Sequence, residues 1–340
     1  MHIFMTGATG FVGLNIVEAL LSAHHEVTCY VRPKVRHEHL SGLPVRCVTG
    51  ELSDSSALGA AMRGAEGVIH TAGNTSCDRR DWPLLVDANI DSTRAIVAAA
   101  KAVGVRRIVY TSTTSTIGSC GKPDHAADET TPLKGFRSAS PYARSKQAAE
   151  AILLSMPPQG PQCVVLNPAE VLGPYDHSLQ WGRIVLAVAT GRVPFIPPGS
   201  GTFSPARDVA QAHVAALTGA RPAERYILGG HHIRFKDFFA LIGEVVGREP
   251  IPETNKPYRW QRLQAGVQAH VQRWTGRPPP VDPYRMQVFG GHHLFDDGKA
   301  RAELGYKPRA LRTAIQECYD WYRTNGFLPN TSAAGLTGAA

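Results

Sequence analysis

The chain of 340 residues has no apolar run long enough to span a bilayer, no close cysteine pair at metal-ligand spacing and no internal repeat. Without such a run, a transmembrane helix is not expected. The six cysteines, Cys29, Cys47, Cys77, Cys120, Cys163 and Cys318, are scattered, and a chain this long needs no disulfide staples, so they read as core or surface thiols. His231-His232 and His292-His293 lack neighbours that would close a tetrahedral site, and the glycines before each pair suggest loops, so no metal is expected. The formal charge of +8 is spread over separate groups, Arg32/Lys34/Arg36, Arg106/Arg107 and Arg273/Arg277. A nucleic-acid binder needs a continuous basic face or a recognition module, and neither is visible. The opening Met1-His-Ile-Phe-Met5 has no basic segment followed by a hydrophobic stretch. A secretory signal is therefore not expected, and a cytoplasmic location is.

What is present is a large apolar fraction, 43%, arranged in a repeating order. Short apolar runs over residues 2–5, 26–31, 45–48, 67–70, 107–110 and 162–166 read as buried strands. Between them, residues 11–21, 56–62, 84–103 and 141–156 carry helical periodicity. Strands alternating with amphipathic helices predict a parallel sheet covered on both faces, joined by right-handed crossovers. After Pro168 the rhythm loosens. Helices are expected over 183–190, 208–218, 235–246, 258–275 and 310–323, and a strand over 225–228. The Pro- and Gly-rich stretch 194–204 reads as a loop. Asp208 reads as a cap or anchor of its helix, and Asp176-His177 as a surface turn or a substrate contact.

Gly7-Ala-Thr9-Gly10-Phe11-Val12-Gly13 lies between the first strand and the first helix. In that setting Gly7 permits a tight turn, Gly10 lets the backbone approach a phosphate and Gly13 lets helix and strand pack closely. A dinucleotide pyrophosphate would sit at the helix N-terminus. The fold class follows: α/β, a Rossmann-type doubly wound parallel sheet over residues 1–168, with a smaller mixed α/β substrate lobe over 169–330 whose segments partly return to the first domain, and a frayed tail over 331–340. The second strand ends Val31-Arg32, where a site for an unphosphorylated ribose usually carries Asp or Glu. An arginine suits a ribose 2′-phosphate, so NADP(H) is favoured and NAD(H) is the alternative. Glu51-Leu52 follow the third strand near the expected adenine edge, and Thr71-Ala72-Gly73 close the fourth.

Tyr142 and Lys146 are four residues apart in a helix that Pro141 opens, so they share a face. A tyrosine of ordinary pKa, about 10, needs help to exchange a proton near neutrality. A neighbouring ammonium and an oxidised nicotinamide both favour its phenolate. In ketone reduction Tyr142 would protonate the developing alkoxide as hydride reaches carbon. The hydroxyl-rich end of the fifth strand offers Thr113, then Ser112, to hold the substrate oxygen beside Tyr142. Asn89, in the long helix over 84–103, is placed to order a helix turn, a water or a catalytic side chain.

These motifs resemble the extended short-chain dehydrogenase/reductase family, and within it the dihydroflavonol-reductase-like, NAD-dependent epimerase/dehydratase branch. Further landmarks of that branch are Val31-Arg32-Pro33, Asn167-Pro168, Gly173-Pro174, Arg207-Asp208-Val209-Ala210 and Leu304-Gly-Tyr306-Lys-Pro308. The resemblance covers nearly everything through Leu328. It implies a catalytic group of Thr113, Tyr142 and Lys146 assisted by Asn89, with Thr113 where serine is usual. It also implies a segment from Asn167 through Glu170 reaching toward the nicotinamide, with Asn167, Pro168 and Ala169 as cofactor contacts, and a homodimer formed through the long helices.

The substrate lobe shows few charges near its expected mouth. Trp181, Tyr175, Phe195 and Phe203 are candidates for an apolar pocket. Arg183, Arg192 and Arg207 leave room for a substrate diphosphate. The first reading is reduction of an apolar or aromatic ketone or aldehyde, or the reverse alcohol oxidation. The alternatives are a nucleotide-sugar epimerase or dehydratase with a retained cofactor, and a redox-sensing binding protein without turnover.

Overall fold

Seven parallel strands form the main sheet of this computed structural model. The structure describes residues 1–249 and 288–328, less Lys34, Arg36 and Pro194, together with Tyr258, Leu263 and Val267. The strands are β1 (His2–Thr6), β2 (Glu26–Val31), β3 (Arg46–Thr49), β4 (Gly67–His70), β5 (Arg107–Thr111), β6 (Gln162–Pro168) and, from much later in the chain, β9 (Glu224–Leu228). Their spatial order is β3-β2-β1-β4-β5-β6-β9. The order reverses at β1, so a crevice opens between the carboxyl ends of β1 and β4, where open α/β sheets bind ligands.

Alternate side chains of the sheet bury on opposite faces, which is why the interior strands are apolar nearly throughout, whereas the edge strand β3 is largely exposed. Ile3, Met5, Val27, Val31, Ile69 and Val109 pack with α1 (Phe11–Ser22) and α7 (Ala206–Ala216). Phe4, Tyr30, Val68, Ile108 and Tyr110 pack with α2 (Ser55–Met62), α4 (Ser92–Ala102) and α5 (Pro141–Leu154). Local chemistry starts the helices. Asp54 accepts hydrogen bonds from the Ser56 and Ala57 amides to cap α2, and Ser140 accepts one from Ala143 to cap α5, with Pro141 in its first turn.

A second sheet, β10-β8-β7, supports the other lobe. It comprises β7 (Glu170–Leu172), β8 (Ser200–Pro205) and β10 (His231–Arg234). It packs with α6 (Gly182–Ala189), α8 (Phe235–Val246) and α10 (Leu311–Thr324) around Leu172, Val185, Phe203, Phe235, Phe238, Ile315 and Tyr322. The short α9 (Gly298–Leu304) lies against β9 and α7.

Several sequence expectations need correction. The end of the supposed loop 194–204 is strand β8, paired on both sides and buried throughout. Its Ser-Gly-Thr-Phe-Ser composition masks the strand, which neighbouring strands impose. The single helix over 84–103 is composite: α3 (Trp82–Leu85), a π-helical turn at Val86–Asp91, then α4. Of the two roles read for Asp208, it anchors α7 and does not cap it, since it lies inside the helix. Its carboxylate instead grips the Arg309 guanidinium and backbone amide. Asp176 is fully buried, accepting the Gln180 and Gly182 amides ahead of α6, so it is neither a surface residue nor free for substrate. Apart from Tyr258, Leu263 and Val267, the helix expected over 258–275 lies outside the described residues, as do the tail 331–340, Lys34, Arg36, Arg273 and Arg277. No helix among the described residues is long and apolar enough to cross a membrane.

Candidate active site

A cleft of about 630 Å³ runs along the carboxyl edge of the main sheet and out to the second sheet. Its first end is built by backbone. Gly7 has φ +74°, and a Cβ there would lie 2.5 Å from the Ala72 nitrogen. A Cβ on Gly13 would lie 2.0 Å from the Gly7 carbonyl oxygen. Both glycines are therefore required for the turn from β1 to press against the end of β4. Gly10 stands at the N-cap of α1 with no side-chain cap, and the first turn carries no acidic residue. The free amides of this helix start thus face the cleft without a competing anion.

Polar side chains beneath this end are fixed by burial. Thr6 accepts from the Ala72 amide and donates to His70 Nδ1 at 2.7 Å, while His70 Nε2 meets Thr93 Oγ1 at 3.2 Å. Because Thr93 donates to the Asn89 carbonyl, His70 must be the donor to Thr93. Burial, with Lys146 nearby, pushes the His70 pKa down to about 3, so the ring is neutral. His213 likewise donates through Nδ1 to the Val209 carbonyl and accepts from Thr111, which in turn orients the Thr71 hydroxyl.

Farther out, Tyr30, Val31, Arg32, Glu51, Leu52 and Ser53 line the cleft. Arg32 and Glu51 are exposed, and Arg32 makes no ion pair among the described residues. Helix α2 is capped by Asp54, which leaves Glu51 unused for capping.

At the centre stand Thr71, Ala72, Gly73, Ser112, Thr113, Tyr142 and Lys146, all in the cleft wall. Lys146 donates to the Thr111 carbonyl at 2.7 Å and lies 4.1 Å from the centroid of the Tyr110 ring. Burial lowers its pKa to about 7, against the opposing field of Glu150. Burial raises that of Tyr142, and a hydrogen bond with Thr113 acts against the rise. Thr113 itself accepts from the Ser115 amide, capping a short 3₁₀ turn over Thr114–Thr116.

Two residues read from the sequence as contacts sit elsewhere. Asn167 is fully buried, and its amide donates to the Thr113 carbonyl, Thr116 Oγ1 and Glu150. It supports the cleft floor, and only its neighbours Pro168 and Ala169 line the cleft. Asn89 is also fully buried, within the π-helical turn. Its side chain clasps Asn74 through both backbone groups and donates to Ser145 at 2.8 Å. It thereby joins the chain after β4 to the helix that carries Tyr142 and Lys146.

The far end is made of side chains from scattered segments. Arg137, Glu170, Arg183 and His293 line it together with Trp181, Val171, Val288 and Phe289. Few charges were expected here, so the polar set is a correction. Arg137 Nη1 approaches His293 Nδ1 at 2.8 Å, and the opposite ring nitrogen faces the Val288 carbonyl. His293 is therefore a neutral acceptor from Arg137, and burial pushes its pKa down to about 4. Burial raises Glu170 to about 7, and it accepts from the Thr202 amide. Of the four aromatics proposed for this pocket only Trp181 lines it. Phe203 is core, Tyr175 hydrogen-bonds Glu18, and Phe195 packs on Tyr258. Among the described residues no His, Cys, Asp and Glu cluster could hold a metal.

Sequence reading missed Glu150 and Arg137, took Glu170 only as the end of the segment reaching toward the nicotinamide, and weighed His293 only as a metal ligand. The spacing of Glu150, one helical turn beyond Lys146, was the only available signal. The other three come together only through the second sheet.

The glycine turn, the crevice at the strand-order reversal and the Tyr142/Lys146 pair define an extended short-chain dehydrogenase/reductase with a nicotinamide cofactor. The chain belongs to the NAD dependent epimerase/dehydratase family, whose profile matches residues 3–229. It is 30% identical over 331 residues to sterol demethylase protein B of Methylococcus capsulatus, covering 96% of this chain and 100% of that one. With a putative dihydroflavonol 4-reductase of Synechocystis sp. it shares 31% identity over 330 residues, 96% and 95% of the two chains. The crystal structure of gox2253 superposes with a TM-score of 0.82 at 30% identity, covering 95% of this chain and 98% of that one.

Proposed function

We propose that this protein is an NADPH-dependent oxidoreductase that reduces a ketone or aldehyde, or runs the reverse alcohol oxidation, with Tyr142 as the acid/base. The carrying observation is the Tyr142 phenol in the cleft wall, with the Thr113 hydroxyl beside it and Lys146 anchored on Thr111. The residues fit the cofactor, since Cβ atoms at Gly7 or Gly13 would fill the cradle and the α1 start has no anion of its own. Gly7, Thr9, Gly10, Phe11, Val12 and Gly13 would hold the pyrophosphate region, with Glu51 and Leu52 at the adenosine side and Thr71, Ala72 and Gly73 along the sheet edge. Exposed Arg32 favours a 2′-phosphate. Bound there, the nicotinamide supplies hydride.

The protein's own part is proton transfer and placement. Burial holds Tyr142 protonated at neutrality, the form needed to give a proton to a substrate oxygen gaining charge. Thr113 orients that oxygen. Lys146, if charged, lowers the energy of the phenolate that Tyr142 becomes. The substrate is read as a small carbonyl compound or alcohol, held partly by Trp181, Val171 and Phe289. The reductase named among the relatives supports this class. Of the three arginines weighed for a sugar diphosphate, Arg207 is engaged by Glu18 and Glu317 and Arg192 is exposed beyond α6, whereas Arg183 lines the cleft and keeps the epimerase reading as the alternative. We extend the proposal to a homodimer through the long helices, supported by the 57% exposure of Leu84 on α3.

A spectrophotometric screen of ketones, aldehydes and alcohols with NADPH and NADH, beside sugar nucleotides, tests the reading. NADPH oxidation that disappears in Tyr142→Phe is expected. Cofactor that survives desalting, with sugar-nucleotide turnover and no added nicotinamide, would replace it with the epimerase reading.

A further inference from the structure

Glu150 is a buried carboxylate that the proposed chemistry does not use. It is 3% exposed, lies on α5 one turn beyond Lys146, and faces away from solvent under the cleft floor. Its Oε1 accepts from Ser112 Oγ at 2.5 Å, Thr116 Oγ1 at 2.8 Å and Asn167 Nδ2 at 2.8 Å. Its Oε2 faces Arg225 Nη1 at 3.3 Å. The same Asn167 amide also binds the Thr113 carbonyl, and the Thr116 hydroxyl also faces it. One carboxylate thus ties α5, the end of β5, the end of β6 and β9 at a single point, and everything it ties on the cleft side surrounds Thr113. A buried charge is costly unless every lone pair is matched, and here each oxygen has donors.

We propose that Glu150 is a positioning residue for the reaction: from beneath the cleft it holds the Ser112–Thr116 turn in register with α5, so that the Thr113 hydroxyl meets the Tyr142 phenol. The proposal rests on the carbonyl-reductase reading above. Glutamine fits the same space but cannot serve both sides. With its oxygen toward Ser112 and Thr116, its amide group confronts the Arg225 guanidinium; turned over, it confronts the hydroxyl donors. The charge is lost in either orientation. The charged and titratable groups around the Lys146 ammonium are Glu150 and Tyr142 on α5, His70 on β4 and Tyr110 on β5, and Arg225 on β9 faces Glu150. Glu150 is the anion among them that burial keeps close. Its removal drives the Lys146 pKa below its present value, so the fall of activity on the alkaline side starts at lower pH.

The test compares wild type, Tyr142→Phe, Glu150→Gln, Glu150→Gln/Arg225→Met and Thr116→Val in one NADPH-dependent carbonyl assay, with cofactor Kd measured separately. For Glu150→Gln the expected result is at least a roughly tenfold fall in kcat, a cofactor Kd within about twofold and an alkaline limb moved to lower pH. Removing the confronting guanidinium in the double variant restores part of the lost kcat. Thr116→Val, which leaves Glu150 in place, lowers kcat less. An unchanged kcat and pH profile in Glu150→Gln, or parallel loss of kcat and cofactor binding in both Glu150→Gln and Thr116→Val, overturns the proposal. If wild type shows no turnover that depends on Tyr142, the reductase reading itself has failed. Amide hydrogen exchange over residues 112–117 then decides alone: faster exchange in Glu150→Gln supports the positioning role, and unchanged protection overturns it.

Discussion

The two ends of the cleft are built from different materials. At the cofactor end the wall is main chain: the Gly7 turn, the start of α1 and the edge of β4. At the far end the wall is side chains, Arg137, Glu170, Trp181 and His293, each from a different segment. Main chain can be shaped only by local conformation, so it needs glycine at stated positions. A side-chain wall can be rewritten one residue at a time without disturbing the fold. The first end is thus suited to a ligand that stays the same, and the second to one that differs between relatives.

The contrast can be broken at several points. The largest effect is expected at the junction of the two ends. Tyr142→Phe should lower kcat by about 10²–10⁴-fold while NADPH Kd, measured by fluorescence titration, stays near wild type. If cofactor binding collapses with it, Tyr142 belongs to the cofactor wall and the division is misplaced. Next comes Gly13→Ala, whose methyl group would meet the Gly7 oxygen at 2.0 Å. It should destabilise the fold by about 1–3 kcal/mol in denaturant titration and weaken both nicotinamides alike. Wild-type stability and Kd would mean that the turn can give way at the Gly7 carbonyl. Arg32→Ala should weaken NADPH roughly ten- to hundredfold, as expected from a charge-assisted contact of about 1.5–3 kcal/mol, and leave NADH nearly unchanged. Equal losses for the two would remove Arg32 as the phosphate reader.

The effect at the side-chain end is read as a pH dependence. Burial raises Glu170 from 4.5 to about 7, so the folded protein holds a proton that the unfolded chain has released. The associated stability is complete below pH 4.5 and is lost as pH climbs to about 7. Tm of wild type minus that of Glu170→Gln should therefore fall across this window. A flat difference would show that the carboxyl is well solvated.

The same division explains what could be read without coordinates. The strands from β1 to β6 were legible because each is a short apolar run, and Gly7, Gly10 and Gly13 because main-chain geometry leaves few other choices. Tyr142 and Lys146 were legible because helical spacing puts them on one face. By contrast, β8 was hidden in a Gly- and Ser-rich stretch whose pairing comes from β7 and β10. Arg137 and His293 are 156 residues apart, and no local pattern announces that they touch. Asn167 was read as lying just past the strand of residues 162–166, whereas it belongs to β6 and donates to buried Glu150, which charge and spacing alone do not rank above a surface glutamate.

The position of β9 bears on how the molecule can be taken apart. This strand arrives after α6, β8 and α7, yet it completes the main sheet beside β6, and α7 covers α1 on the same face. A fragment cut after Pro168 would therefore leave β6 as an open edge and bare the apolar side of α1, two features that invite aggregation. Swapping the far wall between relatives to change what they accept is consequently a matter of grafting side chains or short insertions, because the halves do not exist as exchangeable modules.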